Sequence, residues 1–405
     1  MQSGLPFYLY QAGFGKRNTG YLKDHDPRLG YDFNFTTAKN GNAIVAPTCF
    51  QCHAEKLNNE LVIGLGNNSK DFTSNQVYNI KPMQNLLLYY LRTLRPKEYE
   101  AAYRFSTATQ LLDTRVFTDC RGVNAADRLF ALLVSYRDPV TLAWRNTDAL
   151  QLESTVIPSD VPAWWLMKKK NAIYYSGEGR GDFGKFMLSS ALLTMTDSAD
   201  ASEIDKHMPD VLSYIRSLEP PPYPGSIDQA VAAEGHKIFT ANCSSCHGTY
   251  GDNETYPNKL IPAGIIGTDP WLSHSNFGDP SVINWFNNSW FSQGGHPAKL
   301  EPFDGYIAPP LDGIWATAPY LHNGSVPELE MVINSAARPT YWKRGFGKHN
   351  YNVKRAGLRY KKRDGPGDRK VYNTELPGYS NAGHLFGDHL TENERKELLE
   401  YLKTL

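Results

Sequence analysis

Apolar residues recur at helical spacing in three stretches of the chain, and each stretch predicts a helix. Residues 208–218 form an amphipathic pattern with a proline in the first turn. Residues 227–239 repeat the pattern and run directly towards a pair of cysteines. Residues 390–405 begin with Thr391 and Glu394, a capping-box pair, and carry leucines along one face. A closing helix in each half is typical of a duplicated domain.

The segment between the first two stretches is rich in proline. Proline fixes its own φ and keeps the preceding residue out of the helical region, so residues 219–225 are predicted to be an extended linker. The linker divides the 405 residues into two predicted domains, 1–219 and 226–405. Few stretches alternate as strands do. We therefore expect a mainly α protein with long irregular loops and little β structure.

Composition argues against two kinds of surroundings, nucleic acid and the interior of a membrane. The chain holds 42 Lys and Arg against 42 Asp and Glu, whereas nucleic-acid-binding proteins usually carry a net basic surface. No apolar run reaches the roughly 20 residues that a membrane-spanning helix requires. We therefore expect neither nucleic acid nor a membrane span.

Four of the five cysteines lie in two Cys-x-x-Cys-His motifs, at residues 49–53 and 243–247. One turn of chain places two thiols under the vinyl groups of a haem, and the following histidine reaches the iron from the same side. Zinc is the alternative, but its cysteine pairs usually lie within about 20 residues of each other. Here the pairs begin 194 positions apart. The motifs predict two covalently bound haems c, and the fifth cysteine, Cys120, is expected to be a buried thiol.

The two motifs predict cofactor attachment through Cys49, Cys52, Cys243 and Cys246, with His53 and His247 as iron ligands. What fills the opposite face of each iron decides whether it transfers electrons or binds O₂ or peroxide. No histidine lies between His53 and His207, so the first iron is expected to be open or water-ligated. The alternatives for its sixth ligand are His25, His207, Met83, Met167, Met187 and Met195.

The second half is rich in histidine, and two of them stand out as candidates. His384 lies on a Gly-bearing loop just ahead of the closing helix, which favours it as the sixth ligand of the second iron. His322 lies in the sequence Ala-Pro-Tyr-Leu-His-Asn-Gly-Ser-Val-Pro, residues 318–327. For either histidine, a surface position or a hydrogen bond to the backbone is the alternative interpretation.

Residues 310–327, with the core Trp-Ala-Thr-Ala-Pro-Tyr-Leu-His-Asn-Gly, resemble the signature of the bacterial di-haem cytochrome c peroxidase superfamily. The core is most similar to the rubber-oxygenase branch, and the spacing of the haem motifs and residues 161–165 agree with this. The resemblance implies an open, substrate-activating N-terminal haem and a six-coordinate C-terminal haem. In the peroxidases a methionine provides the sixth ligand, but that position falls near Ala336, which cannot ligate iron. His384 matches the histidine of the other branch, and His322 is then expected to contact the cofactor.

The resemblance also suggests residues near the active haem. Alongside His53, the candidates are Trp164, Trp165 and Tyr175, which line the first pocket or relay electrons; ordinary core packing is the alternative. We expect a rubber-oxygenase-like oxidoreductase that activates O₂ or H₂O₂ with an organic or protein electron donor. A di-haem peroxidase and a non-catalytic electron carrier are the alternatives. Calcium is compatible with the resemblance but is not indicated by any motif.

Two further expectations concern the surroundings of the protein. Residues 342–370 are strongly basic and form either a solvated face or a docking surface for an acidic redox partner. Haem is attached outside the bacterial cytoplasm, so a periplasmic or secreted protein is expected. Residues 1–4 do not resemble the start of an export signal, which we expect to have been removed.

Overall fold

In the computed structural model, 38% of residues are helical and 15% are in strands. The structure describes residues 3–13, 21–73, 81–113, 115–278 and 280–405. The helices are α1 (Phe7–Gly13), α2 (Phe50–His53), α3 (Lys81–Leu94), α4 (Pro96–Asp113), α5 (Ala126–Ser135), α6 (Phe183–Ser189), α7 (Ser198–Asp205), α8 (Met208–Ser217), α9 (Gln229–Asn242), α10 (Ser244–His247), α11 (Ala263–Ile266), α12 (Trp271–Gly278), α13 (Pro280–Asn287) and α14 (Glu392–Leu402). Within the described ranges, no helix is long and apolar enough to cross a membrane.

The strands are short and form small antiparallel sheets. They are β1 (Leu5–Pro6), β2 (Phe33–Thr37), β3 (Ala43–Pro47), β4 (Ala54–Leu57), β5 (Glu60–Ile63), β6 (Gly179–Gly181), β7 (Leu260–Pro262), β8 (Ala298–Leu300), β9 (Gly305–Ile307), β10 (Tyr341–Arg344), β11 (Tyr351–Asn352), β12 (Gly357–Leu358), β13 (Tyr360–Lys362) and β14 (Val371–Asn373). Three-stranded sheets follow the orders β1-β3-β2 and β13-β10-β14, and the remaining sheets are strand pairs. The mainly helical expectation thus holds in outline, with more short strands than the sequence pattern indicates.

The three helices predicted from apolar spacing are present. The first is α8, and the second is α9, which begins at Gln229 because the Asp228 side chain caps its first turn. The third is α14, and its predicted capping box forms in full between Thr391 and Glu394. Residues 219–224 contain neither helix nor strand, as the proline-rich sequence predicts.

Helices α9 and α14 cross in close contact, and a glycine makes this possible. A Cβ atom on Gly235 would lie 2.0 Å from the Glu397 carbonyl oxygen and 2.9 Å from the Cβ atom of Tyr401. Phe239 packs beside the crossing, with its ring centre 5.2 Å from that of Tyr401. Because Cys243 follows α9 directly, this crossing sets the position of the second Cys-x-x-Cys-His motif.

The two halves of the chain share their two largest hydrophobic clusters. One cluster joins Cys120 and Val123 to residues from the C-terminal half, including Trp315 and Trp342. A second joins helices of the N-terminal half to Phe286 and its neighbours around α13. The strand pair β6-β8 also links the halves, through Gly179–Gly181 and Ala298–Leu300. The division at residues 219–226 stays a prediction, and the two sides of it pack as one interlocked body.

Two glycines bring the segment after the first motif against residues 161–165. A Cβ atom on Gly66 would lie 1.8 Å from the Val161 carbonyl oxygen. Gly64 has a φ of +88°, and its backbone carbonyl accepts a hydrogen bond of 2.8 Å from the Trp164 amide. The paired tryptophans are therefore fixed beside the first motif by backbone contacts that only glycine permits.

We expect Gly235→Ala to destabilise the protein by about 2 kcal/mol, because the added methyl group overlaps the α14 backbone. Chemical unfolding of the holoprotein would measure the change. Gly264→Ala is the control, since it lies in α11 with no atom within 4 Å of the added Cβ, and it should not lower stability. Equal stability of the Gly235 variant and the wild type would contradict the proposed role of the crossing.

Candidate functional site

The first Cys-x-x-Cys-His motif folds as a single helical turn. Cys49 lies at the N-cap of α2, and its carbonyl accepts hydrogen bonds from the amides of Cys52 (3.1 Å) and His53 (3.0 Å). The chain then enters the β4-β5 hairpin, and the Gly64 amide returns to donate to the His53 carbonyl at 2.8 Å. Neither cysteine forms a disulfide. Both thiols therefore remain available on one turn, as covalent haem attachment requires.

The second motif has the same local geometry. Cys243 caps α10, and its carbonyl accepts from the amides of Cys246 (3.1 Å) and His247 (3.0 Å). Gly248 ends the turn with a φ of +84°, where a Cβ atom would lie 2.0 Å from the Thr255 carbonyl oxygen. Both cysteines are free thiols. Two unrelated stretches of sequence thus place thiol, thiol and imidazole on equivalent turns.

A proline carbonyl lies behind each motif histidine. Nδ1 of His247 donates to the Pro309 carbonyl at 2.8 Å, which leaves Nε2 free to bind a metal. The Pro162 carbonyl faces His53 and favours its charged form, although Nδ1 makes no hydrogen bond of standard geometry there. Burial lowers the pKa of His53 to about 3 and also lowers that of His247. The imidazoles are therefore neutral, which is the form that ligates iron.

His384 lies directly opposite His247. The two ring centres are 6.2 Å apart. Imidazoles bound on opposite sides of one metal, each at about 2 Å, place their ring centres roughly 6 Å apart. Nδ1 of His384 donates to the Val332 carbonyl at 3.3 Å, so its Nε2 is also free. The pair fits a six-coordinate iron, and the assignment of His384 as ligand stays a prediction.

The loop that carries His384 is held by backbone contacts on both sides. A Cβ atom on Gly383 would lie 2.1 Å from the carbonyl carbon of Gly267, so only glycine allows the loop to meet the end of α11. The His384 amide donates to the Ile266 carbonyl at 2.8 Å. Arg338 donates to the carbonyls of Gly383 (2.7 Å) and His384 (3.3 Å), and to three others nearby. His384 itself has a φ of +49°, in the left-handed region, and these contacts hold its backbone there.

The surroundings of His53 differ from those of His247. Its ring stacks on Trp164, with ring centres 4.6 Å apart and planes inclined by 19°. In the described part of the chain, no second histidine ring contacts it. His25 instead donates to the Gly30 carbonyl at 2.9 Å, and His207 is exposed at the start of α8.

The methionine alternatives are not brought to His53 by any described contact. Met167, Met187 and Met195 all pack in the hydrophobic cluster around Phe286. The side chain of Met83 lies outside the described residues. Three of the four methionines considered as sixth ligands of the first iron therefore lie in a hydrophobic cluster. That this iron is open or water-ligated stays a prediction.

Trp164 stacks on the face of the His53 ring, and the neighbouring Trp165 is fully buried. The Trp165 indole donates to the Asp312 carbonyl at 2.8 Å, which links it to the C-terminal half. Tyr175 donates to Asp160 at 3.1 Å. The Asp160 amide in turn donates to the His322 carbonyl at 2.7 Å. The predicted residues thus meet at the junction of the two halves, and their catalytic role stays a prediction.

Several buried polar atoms near the motifs have no hydrogen-bond partner. They include Nε2 of His322 and Nε1 of Trp164. His322 stacks on Tyr306 with ring centres 4.1 Å apart, and burial lowers its pKa to about 3. Unpaired buried donors are costly, which indicates a polar group that is not part of the chain. The carboxylates of a haem would satisfy such atoms, so the residues present fit the predicted cofactor.

The sequence did not reveal several contributors. Pro162 and Pro309 act through backbone carbonyls, and Arg338 acts through carbonyls far away in sequence, so none has a side-chain pattern to recognise. Asn124 is also unpredicted, and its side-chain amide nitrogen lies 3.6 Å from the Cys52 sulfur.

Calcium was considered from the resemblance. In the described ranges, no group of three or more His, Cys, Asp or Glu is arranged to hold a metal ion.

Asp160 makes the stability depend on pH. Burial raises its pKa to about 7, partly opposed by the Tyr175 hydrogen bond, whereas an unfolded aspartate titrates near 3.9. The folded state therefore binds the proton more tightly, and stability falls as the pH rises from about 4 to about 7, by up to roughly 4 kcal/mol. We expect Asp160→Asn to flatten this slope in urea unfolding series. The exposed Asp364→Asn is the control, and an unchanged slope in Asp160→Asn would contradict the assignment.

Two family models match the C-terminal half. Residues 232–302 match cytochrome c, a range that includes the second motif, and residues 305–343 match the family described as RoxA-like, cytochrome c-like. The second range contains His322 and the whole of the signature noted in the sequence, residues 310–327. A cytochrome c domain binds haem covalently, so haem c and redox partners follow for this half of the chain.

The curated relatives are two uncharacterised proteins of Sinorhizobium fredii. The protein y4iJ is 30% identical over 253 residues, which covers 46% of this chain and 41% of the relative. The protein y4iM is 25% identical over 230 residues, which covers 50% of each. The chain spans about half the length of the curated relatives it matches.

Solved structures show weaker likeness. A MauG-like protein associated with microbial copper homeostasis gives a TM-score of 0.34 at 18% identity, over 75% of this chain and 88% of the other. Hydrazine synthase of Kuenenia stuttgartiensis gives 0.30 at 16% identity, over 67% and 85%. The family models agree with the resemblance noted from the motifs: residues 232–302 are those of a cytochrome c domain, and residues 305–343 are similar to the RoxA-like, cytochrome c-like family.

Proposed function

We propose that this protein is a di-haem c-type oxidoreductase that activates O₂ or H₂O₂ at the first motif and stores an electron at the second. The observation that carries the proposal is the difference between the two motif histidines. His247 faces a second imidazole, His384, at 6.2 Å between ring centres, whereas the ring contact of His53 is with Trp164. A pair of imidazoles favours electron transfer, and a single one leaves a face for a small oxidant.

The residues that would hold the cofactors follow from the motifs. Cys49 and Cys52 would bind one haem c and Cys243 and Cys246 the other, with His53, His247 and His384 towards the irons. Haem c supplies an iron that changes oxidation state and, where one face is open, binds O₂ or peroxide. The chain favours the neutral form of the three imidazoles by burial, and it orients His247 and His384 through backbone carbonyls.

A short series of contacts supports electron exchange between the motifs. His53 stacks on Trp164, and the neighbouring Trp165 donates to the Asp312 carbonyl at 2.8 Å. Three residues before Asp312, the Pro309 carbonyl accepts from His247 at 2.8 Å. The two tryptophans would therefore act as a relay. Tyr250 reinforces the second end, since its hydroxyl donates to the His247 carbonyl at 3.2 Å and accepts from the Leu311 amide at 2.6 Å.

We favour an organic substrate, in the manner of the rubber-oxygenase-like branch, and a peroxidase is the second candidate. Two buried carboxyl groups favour the latter, because each would keep a proton near neutral pH. Burial raises the pKa of Asp160 to about 7 and that of Glu178 to about 8. Tyr175 donates to Asp160 at 3.1 Å, so Tyr175 would be the group that carries the Asp160 proton towards the first site.

We further infer that the protein works in the periplasm or outside the cell. Haem is attached covalently to such motifs outside the bacterial cytoplasm. The five free thiols of the described structure do not oppose this, since four of them belong to the two motifs.

The proposal is tested by EPR and visible spectra of the isolated holoprotein, followed by CO addition to the reduced form. We expect one high-spin and one low-spin ferric haem, and CO binding to one haem of two. Peptide masses should show one haem on each motif. Two low-spin haems that bind no CO in any redox state would instead establish an electron carrier.

We expect His384→Ala to convert the low-spin signal to high-spin and to leave the other haem unchanged, because only the second iron would lose a ligand. CO should then bind both haems. His389→Ala is the matched control, an exposed histidine five positions further along the chain. Retention of the low-spin spectrum in His384→Ala would remove His384 from the ligand set.

A further inference from the structure

Charge is distributed very unevenly along this neutral chain. Residues 342–370 contain eleven Lys and Arg but only two Asp, an excess of nine positive charges. Because the whole chain has a formal net charge of zero, the remaining residues carry an excess of nine negative charges. Such a separation concentrates a positive potential on one region of the surface.

The fold brings these cations together on the sheet β13-β10-β14 and its bordering loops. Lys343 and Lys361 are direct partners across β10 and β13, which places like charges opposite each other. We define the basic face as the exposed cations of this region. They are Lys348, Lys354, Arg355, Arg359, Lys361, Lys362, Arg363, Arg369 and Lys370.

Internal ion pairs compensate little of this charge. Arg355 pairs with Glu328 at 3.2 Å, and Lys343 pairs with Asp368 at 3.4 Å. Lysines on an edge strand such as β13 prevent sheets from joining, but this explanation does not extend to Lys348, Lys354 or Lys370, which lie off the strands. Opposed like charges cost stability, so the arrangement favours a partner that supplies negative charge.

The underside of the basic face is anchored on the segment next to the first motif. Arg344, on β10, is buried and donates to the Asn68 side chain at 2.6 Å. Asn68 donates to the Ala318 carbonyl at 3.0 Å, and the preceding Asn67 amide donates to the Cys52 carbonyl at 2.8 Å. One buried guanidinium thus connects the sheet to the turn that carries Cys52.

A second anchor lies beside the first. The guanidinium carbon of Arg121 is 3.8 Å from the centre of the Phe346 ring, and Arg121 donates to the Ser69 carbonyl at 3.2 Å. Arg369, at the rim of the basic face, donates to the Thr73 carbonyl at 2.9 Å. Residues 67–73 are therefore held between the first motif and the basic face.

We propose that the basic face is the docking surface for an acidic electron-carrier protein, which binds on the side of the molecule that holds the first motif. That the partner is a redox protein rests on the proposed function, whereas the charge of the partner rests on the face itself. Complementary charge raises the association rate more than it tightens the complex, and a carrier that must arrive and leave quickly benefits from this.

The test uses a flavodoxin, an acidic one-electron carrier, and measures its association with the holoprotein by surface plasmon resonance over a series of salt concentrations. We expect one variant to associate at least about tenfold more slowly at low salt than the wild type. This basic-face variant combines Lys361→Glu, Lys362→Glu, Arg363→Glu and Lys370→Glu. The salt dependence should flatten as well. The haem spectra should not change, so a failure here is distinct from a failure of the proposed function.

The matched control reverses the same number of charges elsewhere, at Lys97, Lys237, Lys259 and Lys396, all exposed. An equal loss in both variants would mean that net charge alone matters and would overturn the proposal. So would the absence of flavodoxin binding, or tighter binding of a DNA duplex to the same face. Dimerisation of the wild type at low salt, abolished by the basic-face variant, would assign the face to a second copy of the chain instead.

Discussion

The position of an imidazole relative to its neighbours governs the site, because the two nitrogens of the ring have different tasks. One must be held so that the other can face a metal. In His247 the Pro309 carbonyl holds Nδ1 at 2.8 Å, and in His384 the Val332 carbonyl does so at 3.3 Å. These carbonyls come from segments that are distant from both histidines. This pair of imidazoles therefore comes together only when four separate stretches of chain are folded together.

The support around that pair is built from backbone contacts that exclude side chains. Gly235 allows α14 to cross α9 ahead of the second motif, and Gly383 allows the His384 loop to meet the end of α11. Arg338 fixes the same loop through several carbonyls. Support of this kind fixes the two rings relative to each other, as the electron-transfer role proposed for the second motif requires.

The first motif is embedded differently, at the junction of the two halves. His53 stacks on Trp164, and the Trp165 indole reaches Asp312, so the environment of the first site is partly made by the second half. Asp160, Tyr175 and His322 join the same region through hydrogen bonds. The shared hydrophobic clusters give a reason for this interlocking, since the two largest clusters each draw residues from both halves.

Local sequence determined the features that depend on neighbouring residues alone. These are the two Cys-x-x-Cys-His turns, the helices α8, α9 and α14, the capping box at Thr391 and the extended segment 219–224. The signature around His322 also lies within the residues that match the RoxA-like family model. Each of these is encoded by spacing, capping or a contiguous motif, which a single sequence displays directly.

Tertiary structure alone decided which residues meet. It brought the rings of His384 and His247 to 6.2 Å between centres, stacked Trp164 on His53, and gathered the cations of residues 342–370 beside the first motif. It also produced more short strands than the sequence indicates, because two- to five-residue strands form where loops happen to run side by side. One physical reason applies to each of these features. Backbone carbonyls and contacts between distant segments leave no pattern in the sequence, and packing determines which groups become partners.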